Sequence, residues 1–421
     1  MQMLKEYLNA LKINPHMRQS FSLMFWNFVG IPLGIVTNIV ITRYMGADSF
    51  GDYLYIQRVF DLAFILLGFG VVQSLNRVVL LAKDDNHRRQ LFGSGLICLF
   101  GVYIIICCAL YIFAFVSPNF RAKGILSIFL LMIPFSIVFY LLQYLEQVLP
   151  SCNKINWLII QRYTPRVGFF LIGLFVYFYV MKRNLSWNPV VVVWSSFLLT
   201  QLIVYLYVLH KMRPCFKNVK CRMQEIICSI KEYGKHVYIG NLFSTAFAAL
   251  MPVILSMVSE TNSNVGFFSL SCTLSAPLSF IPIVIATSHY QQFASYDYIP
   301  RKLLLVTCGI SLFALVVLWS LIGPFISYFY TKEFTPVIVL TFVTSTGTLL
   351  YGISDFFSRF LMAKGMGKLL RNSSFIVGFT TFMCSLIMIP LFHAIGAAIT
   401  NMMAGVVYLV TIVLYYKKCI K

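Results

Sequence analysis

Four arginines and three carboxylates stand inside otherwise apolar runs of this chain. Arg58 and Asp61 are three residues apart, Asp355 and Arg359 are four apart, and Arg162 and Arg166 are four apart with no acid in their own run. On a helix, positions three or four apart share a face. An arginine at the centre of a membrane span costs roughly 2.5–3.5 kcal/mol, so four cost on the order of 10 kcal/mol. They must face water, a protein partner or an anion. A guanidinium gives phosphate two parallel, charge-assisted hydrogen bonds, so phosphate or pyrophosphate binding is the chemistry this set could perform. For Arg58/Asp61 and Asp355/Arg359 the alternative is an internal ion pair that locks helices. For Arg162/Arg166 it is proximity to the interface, where arginine snorkels to water. Glu146, beside Gln143 and Gln147, either carries a coupling proton or pairs with Lys154 or Arg162. Asn27 and Asn38 either touch hydroxyls of a passenger or bond a neighbouring helix.

The elements that must position these groups are membrane helices. The chain has 421 residues, 59% hydrophobic and 11% charged, with mean hydropathy +0.83. Soluble domains carry about 25% charged residues, so soluble enzymes, nucleic-acid-binding domains and secreted disulfide scaffolds are excluded as first readings. With about 20 apolar residues needed per span, the runs predict twelve helices near 21–42, 53–76, 91–115, 124–149, 155–181, 189–210, 236–257, 265–293, 303–328, 336–362, 372–392 and 396–416. The fold class expected is all-α and integral to the membrane. Pro32, flanked by Gly30 and Gly34, is either a hinge in the first helix or a static kink. The eleven cysteines are scattered with no CxxC pair, and read as small buried hydrophobes rather than metal ligands or disulfides. No cleavable signal peptide is evident.

The net charge of +20 is mostly topological. With the N-terminus inside, twenty-three of the 33 lysines and arginines fall in inner segments and six in outer ones. This positive-inside bias places both termini in the cytoplasm, and no nucleic-acid partner is needed to explain the basicity. The longest polar stretch, 211–235, separates residues 1–210 from 236–421. The expected domains are thus two six-helix bundles joined by a basic cytoplasmic linker. That linker is either a plain tether or an amphipathic helix drawn to anionic lipid. Six helices per half relate the halves by a pseudo-twofold axis along the membrane normal. GADSFGDYLYI (46–56) and ETNSNVGFFSLS (260–271) echo one another, with Gly51 matching Gly266 and Tyr53 matching Phe268.

The stretch ITRYMGADSFGDYLYIQRVFDLAFILLGFGVVQSLNRVV (41–79) resembles the first-to-second helix signature of bacterial polysaccharide transporters. Its matching features are Arg43-Tyr44, Gly46, Phe50-Gly51, Tyr53, Gly68, Gly70 and Arg77. Gly266-Phe267-Phe268, MAKGMGK (362–368) and IGAAIT (395–400) fit the same family. The family is the lipid-linked O-antigen repeat-unit flippases (Wzx type) of the MOP exporter superfamily. The resemblance implies two bundles facing a central cavity and alternating access. Its implied passenger is an undecaprenyl-pyrophosphate-linked oligosaccharide of lipopolysaccharide biosynthesis, carried across the bacterial cytoplasmic (inner) membrane. No cofactor is implied. A proton or sodium gradient is the energy source left open, and polysaccharide polymerase machinery is an implied partner.

Two further readings stay in view. A multidrug or other small-molecule exporter of the same superfamily would present a negative cavity. Here Arg58, Arg162, Arg166 and Arg359 stand against Asp61, Glu146 and Asp355, a balance of one positive charge. A membrane enzyme would need catalytic groups outside the bilayer. The longest outer loop expected, 43–52, has only about ten residues, and no cluster of histidines or acids accompanies it.

Overall fold

In the computed structural model the described residues are 15–82, 84–152, 154–183, 187–235, 238–239 and 242–420. Among them the secondary structure is helical throughout, with no strand. A bilayer offers no water to satisfy backbone amides, so an apolar chain of this kind closes its hydrogen bonds within helices. In chain order the first half supplies α1 (Pro15–Leu67), α2 (Val71–Leu80), α3 (Asp85–Val116), α4 (Pro118–Ala122), α5 (Leu126–Met132), α6 (Ile137–Ser151), α7 (Ile155–Arg183) and α8 (Pro189–Met212). The linker forms α9 (Val219–Ser229). Then follow α10 (Phe247–Val258), α11 (Ser263–Ser275), α12 (Pro277–Ser288), α13 (Tyr290–Ser295), α14 (Arg301–Phe329), α15 (Pro336–Ala363) and α16 (Gly367–Ile420). Among the described residues seven helical stretches are long and apolar enough to cross a membrane, and the bent pair Leu126–Phe135 plus Ile137–Ser151, counted as one span, makes an eighth. Large apolar side chains such as Phe175, Phe178 and Phe313 are about two-thirds exposed, as lipid-facing helices require.

The breaks fall at particular residues. The expected outer loop 43–52 is helical, and α1 turns through it at Gly46 alone (φ 72°, ψ 178°). Glycine enters this backbone region without a Cβ clash. The turn opens a new helix start, and the Ala47 amide donates to the Glu333 carboxylate at 2.9 Å, a favourable place for an acid. The expected helix 53–76 is interrupted at Phe69 (φ 47°) and Gly70 (φ 70°). A Cβ on Gly70 would lie 2.5 Å from the Gly234 carbonyl, so α2 is held tightly against the linker's end. The last two expected helices run on as α16, turned at His393 (φ 50°).

By Cα proximity the chain forms two compact units. One comprises residues 1–41, 67–116 and 130–238, and the other 42–66, 117–129 and 239–421. This partition differs from the halves expected from the linker. Segments 42–66 and 117–129 join the unit built from the second half. In that unit α15 packs against α11, α12, α14 and α16, around Phe293, Phe356, Phe360 and Ile412. The segment 42–66 attaches through backbone contact. A Cβ on Gly51 would lie 2.0 Å from the Asn262 carbonyl oxygen, and one on Gly266 would lie 3.3 Å from Gly51. The two echoing glycines therefore meet. Phe50 and Phe267 both pack on Phe334 beside them.

Gly51→Ala is expected to destabilise the protein by about 1–3 kcal/mol through forced overlap. The measurement is the thermal midpoint in detergent. Gly101→Ala, where nothing lies within 4 Å of the added Cβ, is expected to leave the midpoint unchanged or raised.

Candidate functional site

The first unit holds a cation site between α1, α6 and α7. The Nε–H of Arg162 donates to Glu146 Oε1 at 2.9 Å, with the two side chains 29% and 35% exposed. Glu146 thereby occupies Nε and leaves the terminal nitrogens of Arg162 without a protein partner among the described residues. One turn on, the Arg166 guanidinium lies over the Tyr163 ring at 5.4 Å, a cation–π contact. Among the described residues no carboxylate pairs with Arg166. The Tyr163 ring is buried, packed against Trp26 at 5.6 Å. It reaches α1 because Gly30 has no side chain, and a Cβ there would lie 2.6 Å from Tyr163 Cε1. At 1.5 Å of rise per residue, Arg166 lies about 16 Å along α7 from Ile155. Two guanidiniums against one carboxylate leave the site net positive.

The other named residues are distributed differently. Arg58 and Asp61 pair at 3.5 Å, 39% and 30% exposed, while Arg58 Nε is buried without a partner among the described residues. Asp355 accepts from the Tyr408 hydroxyl at 3.0 Å and forms no ion pair with Arg359 among the described residues. Arg359 acts on Asp355 through its charge, and the hydrogen bond to the carboxylate comes from Tyr408 of α16. All four belong to the second unit, whereas Glu146, Arg162 and Arg166 belong to the first. Asn38 is half-buried on α1 and has a partner. Asn27 lies on α1 with its side chain outside the described residues. The described residues contain no group of His, Cys, Asp and Glu able to hold a metal.

A polar cluster in the second unit went unread in the sequence. Asn262, 1% exposed, donates to Asp52 Oδ1 at 2.8 Å. Its own Oδ1 accepts from Lys123 Nζ at 2.9 Å and from the Ser256 hydroxyl at 2.6 Å. Lys123 also donates to the Ser256 hydroxyl at 3.0 Å and to the Ser256 carbonyl. Burial lowers the Lys123 pKa, opposed by the Asp52 carboxylate. Nearby in sequence, Arg43 donates to the carbonyls of Phe329 (2.7 Å) and Tyr328 (2.9 Å). Together these bonds fasten segments 42–66 and 117–129 to residues 239–421. The readable signal was the echo around Gly51 and Gly266, which brackets Asp52 and Asn262.

Comparison with known proteins places this geometry. The family described as polysaccharide biosynthesis protein matches residues 17–290. No curated protein matches the sequence. Among solved structures, the lipid II flippase MurJ in an inward closed conformation aligns with TM-score 0.72 at 15% identity, over 94% of this chain and 87% of that one. A multidrug resistance MATE family transporter of the MOP superfamily, in an inward-facing conformation, aligns with TM-score 0.65 at 13% identity, over 92% and 94%. A MOP superfamily transporter from Pyrococcus furiosus, described as having a binding pocket of reverse polarity, gives 0.55 at 12%, over 96% of each. At such identities the likeness is one of fold.

The Glu146–Arg162 contact is testable by a double-mutant cycle on Glu146→Gln and Arg162→Gln, read as thermal stability. The expected coupling is about 0.5–3 kcal/mol, with Arg162→Gln alone costing more than the double variant because it strands a carboxylate. Additive effects would show that the pair does not act as a unit.

Proposed function

The chain belongs to the polysaccharide biosynthesis protein family, and from that premise we propose that it is a flippase for lipid-linked oligosaccharide pyrophosphates, working by alternating access. The observation that carries this reading is Arg166 on α7, set on the Tyr163 ring and paired with no carboxylate among the described residues. A pyrophosphate crossing hydrocarbon must exchange its hydration for donors, and the guanidinium nitrogens of Arg162 and Arg166 that no described residue occupies supply them. The polyprenyl tail stays in lipid and the sugar travels unchanged, so no bond is made or broken. The family and the cationic site favour an O-antigen or related surface-polysaccharide repeat unit on undecaprenyl pyrophosphate. We place the protein in a bacterial inner membrane with both termini cytoplasmic, on the strength of the positive-inside count. The driving ion, a proton or sodium, is taken up at a carboxylate, for which Asp61, Glu146 and Asp355 are the candidates. Arg58, Arg359, Asn27 and Asn38 serve as further contacts along the passenger's path.

A second reading, export of small organic cations, draws on Asp355, a carboxylate bonded by the Tyr408 hydroxyl and in no salt bridge among the described residues. Deletion of the gene separates the two. Loss of surface polysaccharide supports the flippase, and sensitivity to cationic dyes with polysaccharide intact supports the exporter.

The double variant Arg162→Ala, Arg166→Ala is expected to insert normally and to lower surface polysaccharide by roughly tenfold or more, since each charge-assisted bond is worth about 1.5–3 kcal/mol. Membrane content is read by immunoblot and polysaccharide by gel. Wild-type polysaccharide from the double variant would remove these residues from the passenger's path.

A further inference from the structure

The segment between α8 and α10 is not a loose tether. Arg222 of α9 donates Nε–H to Gln90 Oε1 at 3.1 Å and Nη1 to Glu225 Oε2 at 2.9 Å, with His87 Nε2 2.7 Å from Nη1. The Cys215 amide donates to the Arg89 carbonyl at 2.8 Å, and Arg89 Nε–H donates to the Arg213 carbonyl at 2.9 Å. Cys215 sits so close to Gly93 that a Cβ there would lie 2.3 Å from its carbonyl oxygen. Ile226 and Ser229 fill the inner face of α9. All these residues belong to the first unit, so the linker helix is a fixed part of its surface.

The anchor points also set the depth of α9. His87, Gln90 and Gly93 lie where α3 passes from its polar start, DNHRRQ, into its apolar run. That transition marks the level of lipid headgroups on a membrane helix. The opposite side of the linker is exposed at this level. Lys217, Lys220 and Lys231 alternate there with Phe216 (57% exposed) and Ile227 (43%). Cys221 and Cys228 are exposed on the same segment. Glu225 is engaged by Arg222, which leaves Glu232 as the exposed acid of the linker among its described residues. Cationic side chains interleaved with apolar ones, at headgroup depth, match a surface of phosphate-bearing lipid.

We propose that the exposed side of the linker from Phe216 to Lys231, α9 and the residues flanking it, is a docking surface for anionic phospholipid headgroups of the membrane in which the protein sits. The lysines take the phosphates, and Phe216 and Ile227 enter the boundary between headgroups and acyl chains. The charge complementarity and the depth of the anchors both point to this partner, and neither depends on which passenger the protein carries.

The experiment uses the full-length protein in nanodiscs of phosphatidylcholine alone or with added phosphatidylglycerol. A membrane-impermeant maleimide labels accessible thiols, and peptide mass mapping gives the rates at Cys221 and Cys228. Labelling is expected to slow roughly tenfold or more in the anionic discs and to recover at high salt. The triple variant Lys217→Gln, Lys220→Gln, Lys231→Gln is expected to label fast in both discs. Equal wild-type rates in the two lipids would overturn the proposal, as would protection that survives salt. Protection in neutral discs by millimolar inorganic phosphate would also overturn it, by marking a site for a soluble anion. If the triple variant does not fold, the salt and phosphate arms on the wild type decide alone.

Discussion

A guanidinium held among apolar helices has to be solvated by something other than hydrocarbon, and α6, α7 and α1 bring their polar and aromatic groups to that task. Glu146 on α6 takes one nitrogen of Arg162, and the buried Tyr163 ring carries Arg166. That ring can stand where it does because Gly30 gives up its side-chain volume on α1. Backbone choice, ring packing and ion pairing thus serve a single electrostatic end. The site is only half neutralised. A fully paired arginine would offer nothing to an anion, and a wholly unpaired one would be costly to insert.

The second unit meets a different constraint. Its segments 42–66 and 117–129 are far in sequence from residues 239–421, yet they pack with them. Short polar side chains do the joining. Asn262 serves as donor and acceptor at once, which an amide can do and a carboxylate cannot. Lys123 spends its donors on Asn262 and Ser256. A buried polar cluster is worth having only when its members are satisfied, and here the amide and the ammonium close each other's needs.

Much of this was legible in the residues. Hydropathy found the helices, because a bilayer demands long apolar runs and the runs are there. The Arg162–Glu146 contact was one of the alternatives open to Glu146, since the two flank a short turn. The breaks were harder to see. Pro32 drew attention as a hinge, yet α1 departs from helical angles at Gly46, and the next break falls at Phe69–Gly70. Proline removes one hydrogen bond, whereas a residue of positive φ redirects the whole chain, and few side chains announce that. The Asp355–Arg359 spacing was a true helical neighbourhood, but a tyrosine from α16 reached the carboxylate. Spacing within one helix cannot show what the facing helix brings. The same limit hid the cluster at Asn262, whose members lie on three separate stretches of chain.

At the meeting of Gly51 with Asn262 and Gly266 the two main chains approach directly, and the Phe50 ring closes over Gly266 beside them. The junction therefore tolerates no side chain at its centre. Anything added at Gly51 wedges the two main chains apart and pulls on the Asn262 bonds and the rings around Phe334 together.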